Sequence, residues 1–95
     1  MFLSYEQVVV GNTVRDQSYL TIPANATMVE LQADTQSIRY TMDNSTDPTV
    51  SSGMVLLVTQ EPRMFLIEDL KRIRFIRGAG SNANLNIHYA AGRDV

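Results

Sequence analysis

Hydrophobic and polar positions alternate with a period of two through most of the chain. That spacing sends successive side chains to opposite faces of a β-strand. In residues 27–33, Val29, Leu31 and Ala33 face one way and Met28, Glu30 and Gln32 the other. In residues 83–89, Leu85, Ile87 and Tyr89 oppose Asn84, Asn86 and His88. In residues 37–42, Ile38, Tyr40 and Met42 alternate with Arg39, Thr41 and Asp43. Further strands are expected at 5–10, 18–22, 54–58, 63–67 and 70–77. Turn formers separate them: Gly11-Asn12, Pro23, Asp34-Thr35-Gln36, the run Asp43-Asn44-Ser45-Thr46-Asp47-Pro48, Glu61-Pro62 and 78–82. Asp, Asn, Ser and Thr side chains hydrogen-bond their own backbone, and proline cannot donate to a strand ladder.

About eight short strands at this spacing predict an all-β fold, a single-domain antiparallel β-sandwich spanning 1–95. Residues 1–4 and 92–95 are expected to be loose or bound to a partner. One segment, 67–77, also admits a helical reading. Glu68 and Asp69 would sit in its first turn, and Lys71, Arg72, Arg74 and Arg77 nearer its end, suiting the helix dipole. The Ile-Arg-Phe-Ile-Arg core of that segment is nevertheless strand-like. The expected core is Val29, Leu31, Ile38, Tyr40, Ile73, Phe75, Leu85 and Ile87.

Composition narrows the classes. Ninety-five residues suit one domain with a modest core. The initiating Met suggests an entire small gene product. A formal net charge of −2 gives no general attraction to nucleic acid or anionic membranes. Without cysteine, disulfides and thiolate metal sites are excluded. No apolar run approaches the ~20 residues that span a bilayer. The N-terminus lacks the basic and long apolar regions of a secretory signal. Without such a signal, the glycosylation patterns at Asn25 and Asn44 read as chance.

Candidate chemistry is sparse. Asp43, Ser45 and Asp47 begin like a calcium loop, with oxygens at alternating positions, but Pro48 stands where glycine is wanted and Met54 where a bidentate Glu belongs. A turn that satisfies its own backbone is the better reading. Lys71, Arg72, Arg74 and Arg77 form a basic cluster, which Glu68 and Asp69 partly neutralise. No aromatic stacking platform accompanies it, so an inter-subunit salt-bridge surface is preferred to nucleic acid. His88 has no local nucleophile or carboxylate with which to form a catalytic dyad. It reads as a surface or interface histidine. No catalytic residue, metal site or cofactor is assigned.

Several of these segments, in order, resemble small β-sandwich virion proteins of tailed bacteriophages. They are 28–33, 37–40, Asp47-Pro48-Thr49, Ser52-Gly53-Met54 with the apolar strand after it, 70–76 and 85–89. The resemblance covers about two thirds of the chain and implies a structural component of the particle, on the head or at a head or tail joint. Residues 39–49 also resemble, more weakly, the strand-turn motif of immunoglobulin-like accessory domains of carbohydrate-active enzymes. There the turn carries Gly where Asn44 stands here.

The apolar runs 54–58 and 64–67 exceed what one small core needs, and surplus apolar surface marks association. Together with the resemblance, this predicts a non-enzymatic virion protein. A capsid decoration or cement protein comes first, a tail or head-tail connector accessory second. A carbohydrate-surface binding module is the alternative of another class. The expected partners are the major capsid protein or other virion proteins and further copies of the chain, with no nucleic acid and no membrane. Phe2, Leu3, Met54, Leu56, Met64, Leu66, Arg72 and Arg74 are the expected interface residues.

Overall fold

A computed structural model describes residues 1–91. The chain is all-β, with two four-stranded antiparallel sheets stacked around one core. Among the described residues eight strands follow in order: β1 (Phe2–Val10), β2 (Arg15–Asp16), β3 (Met28–Asp34), β4 (Ile38–Thr41), β5 (Met54–Leu56), β6 (Arg63–Leu66), β7 (Arg74–Arg77) and β8 (Ala83–Ala90). The first sheet has the order β1-β8-β3-β6 and the second β2-β7-β4-β5.

Alternation decides which side chains meet. In β3 and β8 every second residue is buried, and these two strands lie side by side at the centre of the first sheet. β4 supplies Ile38 and Tyr40, and β7 supplies Phe75, from the opposite sheet. All eight expected core residues are buried. Leu20, Leu56, Ile67 and Leu70 join them.

Three segments depart from the sequence expectation, each for a local reason. Residues 18–22 form no strand. The Asp16 carboxylate accepts from the Ser18 amide at 3.0 Å, and the Leu20 amide closes on the Gln17 carbonyl, giving a 3-10 turn over Gln17–Tyr19. Local side-chain bonds of this kind compete with ladder formation. Residues 70–73 are likewise not strand. A one-turn helix, α1 (Ile67–Leu70), runs into further turns closed by the Arg72 amide on Asp69 and the Ile73 amide on Leu70. These turns drop Ile67, Leu70 and Ile73 into the core at helical spacing. The segment is thus helical at its start and strand from Arg74 onward.

The third departure is the N-terminus. Residues 2–4 are not loose, because β1 runs along β8 as far as Phe2 opposite Ala90. The Ala91 amide donates to the Met1 carbonyl at 2.8 Å. Residues 92–95 lie outside the described part of the chain.

The polar run after β4 is self-satisfied. Both carboxylate oxygens of Asp43 accept bonds, from the Ser45 and Thr46 amides and the Thr46 hydroxyl, at 2.6–3.0 Å. Asn44 takes the left-handed conformation at φ 59°, which asparagine tolerates better than most residues. Arg74 clamps the run from β7. It donates to the Ser45 and Asn44 carbonyls and pairs with Asp47 at 2.7 Å. Gly53 ends the loop at φ 122°. A Cβ there would lie 3.1 Å from Pro48 Cβ and 3.2 Å from the Tyr40 carbonyl oxygen.

Candidate functional site

Two surfaces stand out once the registers are fixed. The first is the open side of the sandwich. β6 ends the first sheet and β5 ends the second. β6 faces β4 across the core, with the Phe65 ring edge-on to Tyr40 at 5.8 Å between centroids. The link from β5 to β6 is short, so both free edges border one side of the molecule.

That side is apolar. Met54 pairs with Tyr40 and therefore shares its face of the sheet. Tyr40 is buried, yet Met54 is 57% exposed, because it sits at the rim of the outermost strand. The Gln60 amide donates to the Leu57 carbonyl, and the Leu57 amide donates to the Gln60 side chain. This tight turn leaves Leu57 and Val58 outward. On β6, Met64 pairs with outward-facing Glu30 and Leu66 with Met28, and Leu66 is 59% exposed. β5 carries no charge, and β6 carries Arg63, which packs over the Phe65 ring at 5.7 Å. An uncharged edge strand beside exposed methionine and leucine is a template for another chain.

The expected interface residues divide accordingly. Met54, Met64 and Leu66 are exposed on the two edge strands of the open side, Met54 on the inward face of β5 and Met64 and Leu66 on the outer face of β6. Leu56 is not: it is 2% exposed, paired with Ile38 inside the core. Periodicity had no means to separate a three-residue strand from the turn after it. Leu3 packs partly against the core, and Phe2 lies on β1, the opposite edge of the first sheet. Arg72 is exposed in the turn before β7 and does not share a strand face with Arg74. Arg74 is half-buried and spends its guanidinium on the 44–47 loop, so it is a clamp within the chain. Elsewhere in the basic cluster, Lys71 pairs with Glu68 at 3.6 Å and Arg77 donates to Asn82 at 3.0 Å.

The second surface is the outer face of the first sheet. Cross-strand pairing assembles a row of Tyr5, His88, Glu30 and Met64, and beside it a row of Gln7, Asn86 and Gln32. Phe2 stacks on the His88 ring at 3.8 Å and 7°, and Tyr5 meets it edge-on at 6.2 Å. The residues of each row are remote in sequence, so only the register reveals them as a group. The alternation did place His88, Asn86 and Asn84 on a polar face.

On the inner side, the Tyr89 hydroxyl donates to Glu6 at 2.6 Å and the Thr21 amide donates to the same carboxylate at 2.8 Å. Burial, the bond to Glu6 and its negative charge push the Tyr89 hydroxyl above the ordinary tyrosine range. The Asp43 carboxyl is held at about 2, chiefly by the Thr46 hydroxyl and then by the Thr46 and Ser45 amides. Asp16 is lowered by its bonds from Ser18, the hydroxyl first.

Comparison with protein-family models, with curated proteins and with solved structures returns no match.

Proposed function

We propose that the protein is a non-enzymatic structural component of a tailed-phage virion, a decoration or cement protein that binds across joints between capsid subunits. The observation that carries this reading is the open side: two unpaired strand edges bordered by exposed Met54, Leu57, Val58, Met64 and Leu66. Such a surface gains free energy by covering its apolar groups and completing its ladders on a neighbour. Both edge strands are short, of three and four residues, which limits open-ended pairing while leaving room for a defined contact. The resemblance of 26–90 to virion β-sandwich proteins supplies the partner class. A ligand that binds the assembled state and not its separated parts stabilises assembly by mass action.

The test is binding of purified protein to particles that lack it, measured by co-sedimentation. Met54→Lys with Leu66→Lys places two cations on the open side at positions already in solvent. The doubly substituted protein keeps its β-rich circular dichroism spectrum and loses particle binding. Wild-type protein that fails to bind, or a substituted protein that binds equally well, overturns the proposal.

A further inference from the structure

We propose that the outer face of the first sheet is a binding site for a neutral, pyranose-based saccharide. The site is the depression of about 110 Å³ lined by Tyr5, Glu30, Gln32, Pro62, Asn86 and His88. Sugar recognition needs flat apolar surface for the C–H face of a ring and donors beside acceptors for adjacent hydroxyls. Both are present here, across the edge strand β1 and the central strands β8 and β3 of one sheet.

The apolar part is aromatic. Tyr5 is 58% exposed, and its ring is fixed because its hydroxyl donates to Asn86 Oδ1 at 2.9 Å. Phe2, 52% exposed, stacks on the His88 imidazole at 3.8 Å beside the depression. Pro62 closes one wall. Rings already fixed in place lose little conformational entropy when a partner stacks on them.

The polar part is preorganised and incompletely used. Asn86 stands at the centre. Its Oδ1 accepts from Tyr5 and from Gln7 Nε2, and its Nδ2 donates to Gln32 Oε1 at 3.2 Å. These bonds orient both glutamines. Among the described residues, Gln32 Nε2 and Gln7 Oε1 then have no partner in the chain, and the Glu30 carboxylate has only His88, at 3.7 Å. An unpartnered amide donor thus lies on the same strand face as a carboxylate with acceptor capacity left over from its contact with His88, since Gln32 and Glu30 are alternate residues on β3. Vicinal hydroxyls, each both donor and acceptor, fit that pair.

Charge selects the class of sugar. The two rows carry no Lys or Arg, and Glu30 is their only carboxylate. Phosphorylated, sulfated and uronic saccharides would meet repulsion without a compensating cation. The surface adjoins the open side at Met64, but Tyr5, Gln7, Gln32, Asn86 and His88 lie outside it, so the proposal is argued from different residues than the assembly reading.

The test is a two-dimensional amide NMR titration of the isotopically labelled chain. The probes are cellotetraose, maltotetraose, mannotetraose and chitotetraose. At least one should shift the side-chain amides of Gln7, Gln32 and Asn86 and the backbone of β8, with a dissociation constant of about 1 mM or tighter. Tyr5→Ala and Gln32→Ala, both at solvent-accessible positions, should each weaken binding at least about fivefold. Met54→Lys, on the other sheet, should leave it unchanged. Four silent titrations overturn the proposal. So do shifts confined to another surface, indifference to both substitutions, or sugar-free peaks on this face that move with protein concentration and mark it as a contact between copies.

Discussion

Truncation of Phe75 tests whether the two sheets share one packed core in the assigned register. Phe75 is 0% exposed on β7, between Arg15 of β2 and Tyr40 of β4. Its ring points into the space between the sheets. Phe75→Ala removes the buried ring and leaves a cavity that strands fixed on both sides cannot close, at a cost of about 3–5 kcal/mol. A domain of this size has about 5–10 kcal/mol in hand, so the variant still folds with little reserve. Urea unfolding followed by circular dichroism is the assay. With a slope of about 1–1.5 kcal/mol/M, the midpoint falls by roughly 2–5 M. Val9→Ala, at an exposed position on β1 opposite Asn84, is the control and stays within about 0.5 kcal/mol of wild type. Equal shifts in the two variants, or none at Phe75, would show that the inward and outward faces of β7 have been exchanged.

Three further outcomes follow from local geometry. Gly53→Ala forces a side chain into φ 122° against Pro48 and Tyr40, and costs about 1–3 kcal/mol, read as a fall in melting temperature. The folded-state pKa of Asp43 is depressed, so its contribution is present above the unfolded value near 4 and is lost as pH falls toward 2. Asp43→Asn, which removes the titration, flattens the melting-temperature profile over that window. The folded-state pKa of Tyr89 is raised, so its contribution is present below the unfolded value near 10 and is lost as pH rises beyond it. Absorbance titration should show a tyrosine phase that appears only with unfolding, and Tyr89→Phe diminishes that phase.

The strands that read most clearly in the sequence are those buried on one face and solvated on the other. β3 and β8 alternate without a break, and their inward residues are the core. Legibility fails where hydrogen bonds act over three residues or fewer. Asp16 and Ser18 turn a strand-like stretch into a 3-10 turn, and the 67–73 turns carry an apolar spacing that also fits a strand. It fails again at the edges. A continuous apolar run such as 54–58 has no periodicity to say which residues enter the core. The fold resolves it by burying Leu56 and exposing Met54, Leu57 and Val58. Arg74 looked like a rim charge because Asp47 is 27 residues away in sequence. The face of Tyr5, Asn86 and His88 was invisible for a related reason. Period two assigns a side chain to a face, whereas register over some eighty residues decides its neighbours.

The claim that the open side fastens this protein across joints of a larger particle is tested most directly by heating particles with and without it. Release of packaged nucleic acid, followed by dye fluorescence against temperature, is the readout. Particles lacking the protein should open at a lower temperature, and added wild-type protein should restore the difference while the Met54→Lys, Leu66→Lys protein does not. Particles that lack the protein and retain their contents as well as complete ones would contradict the account.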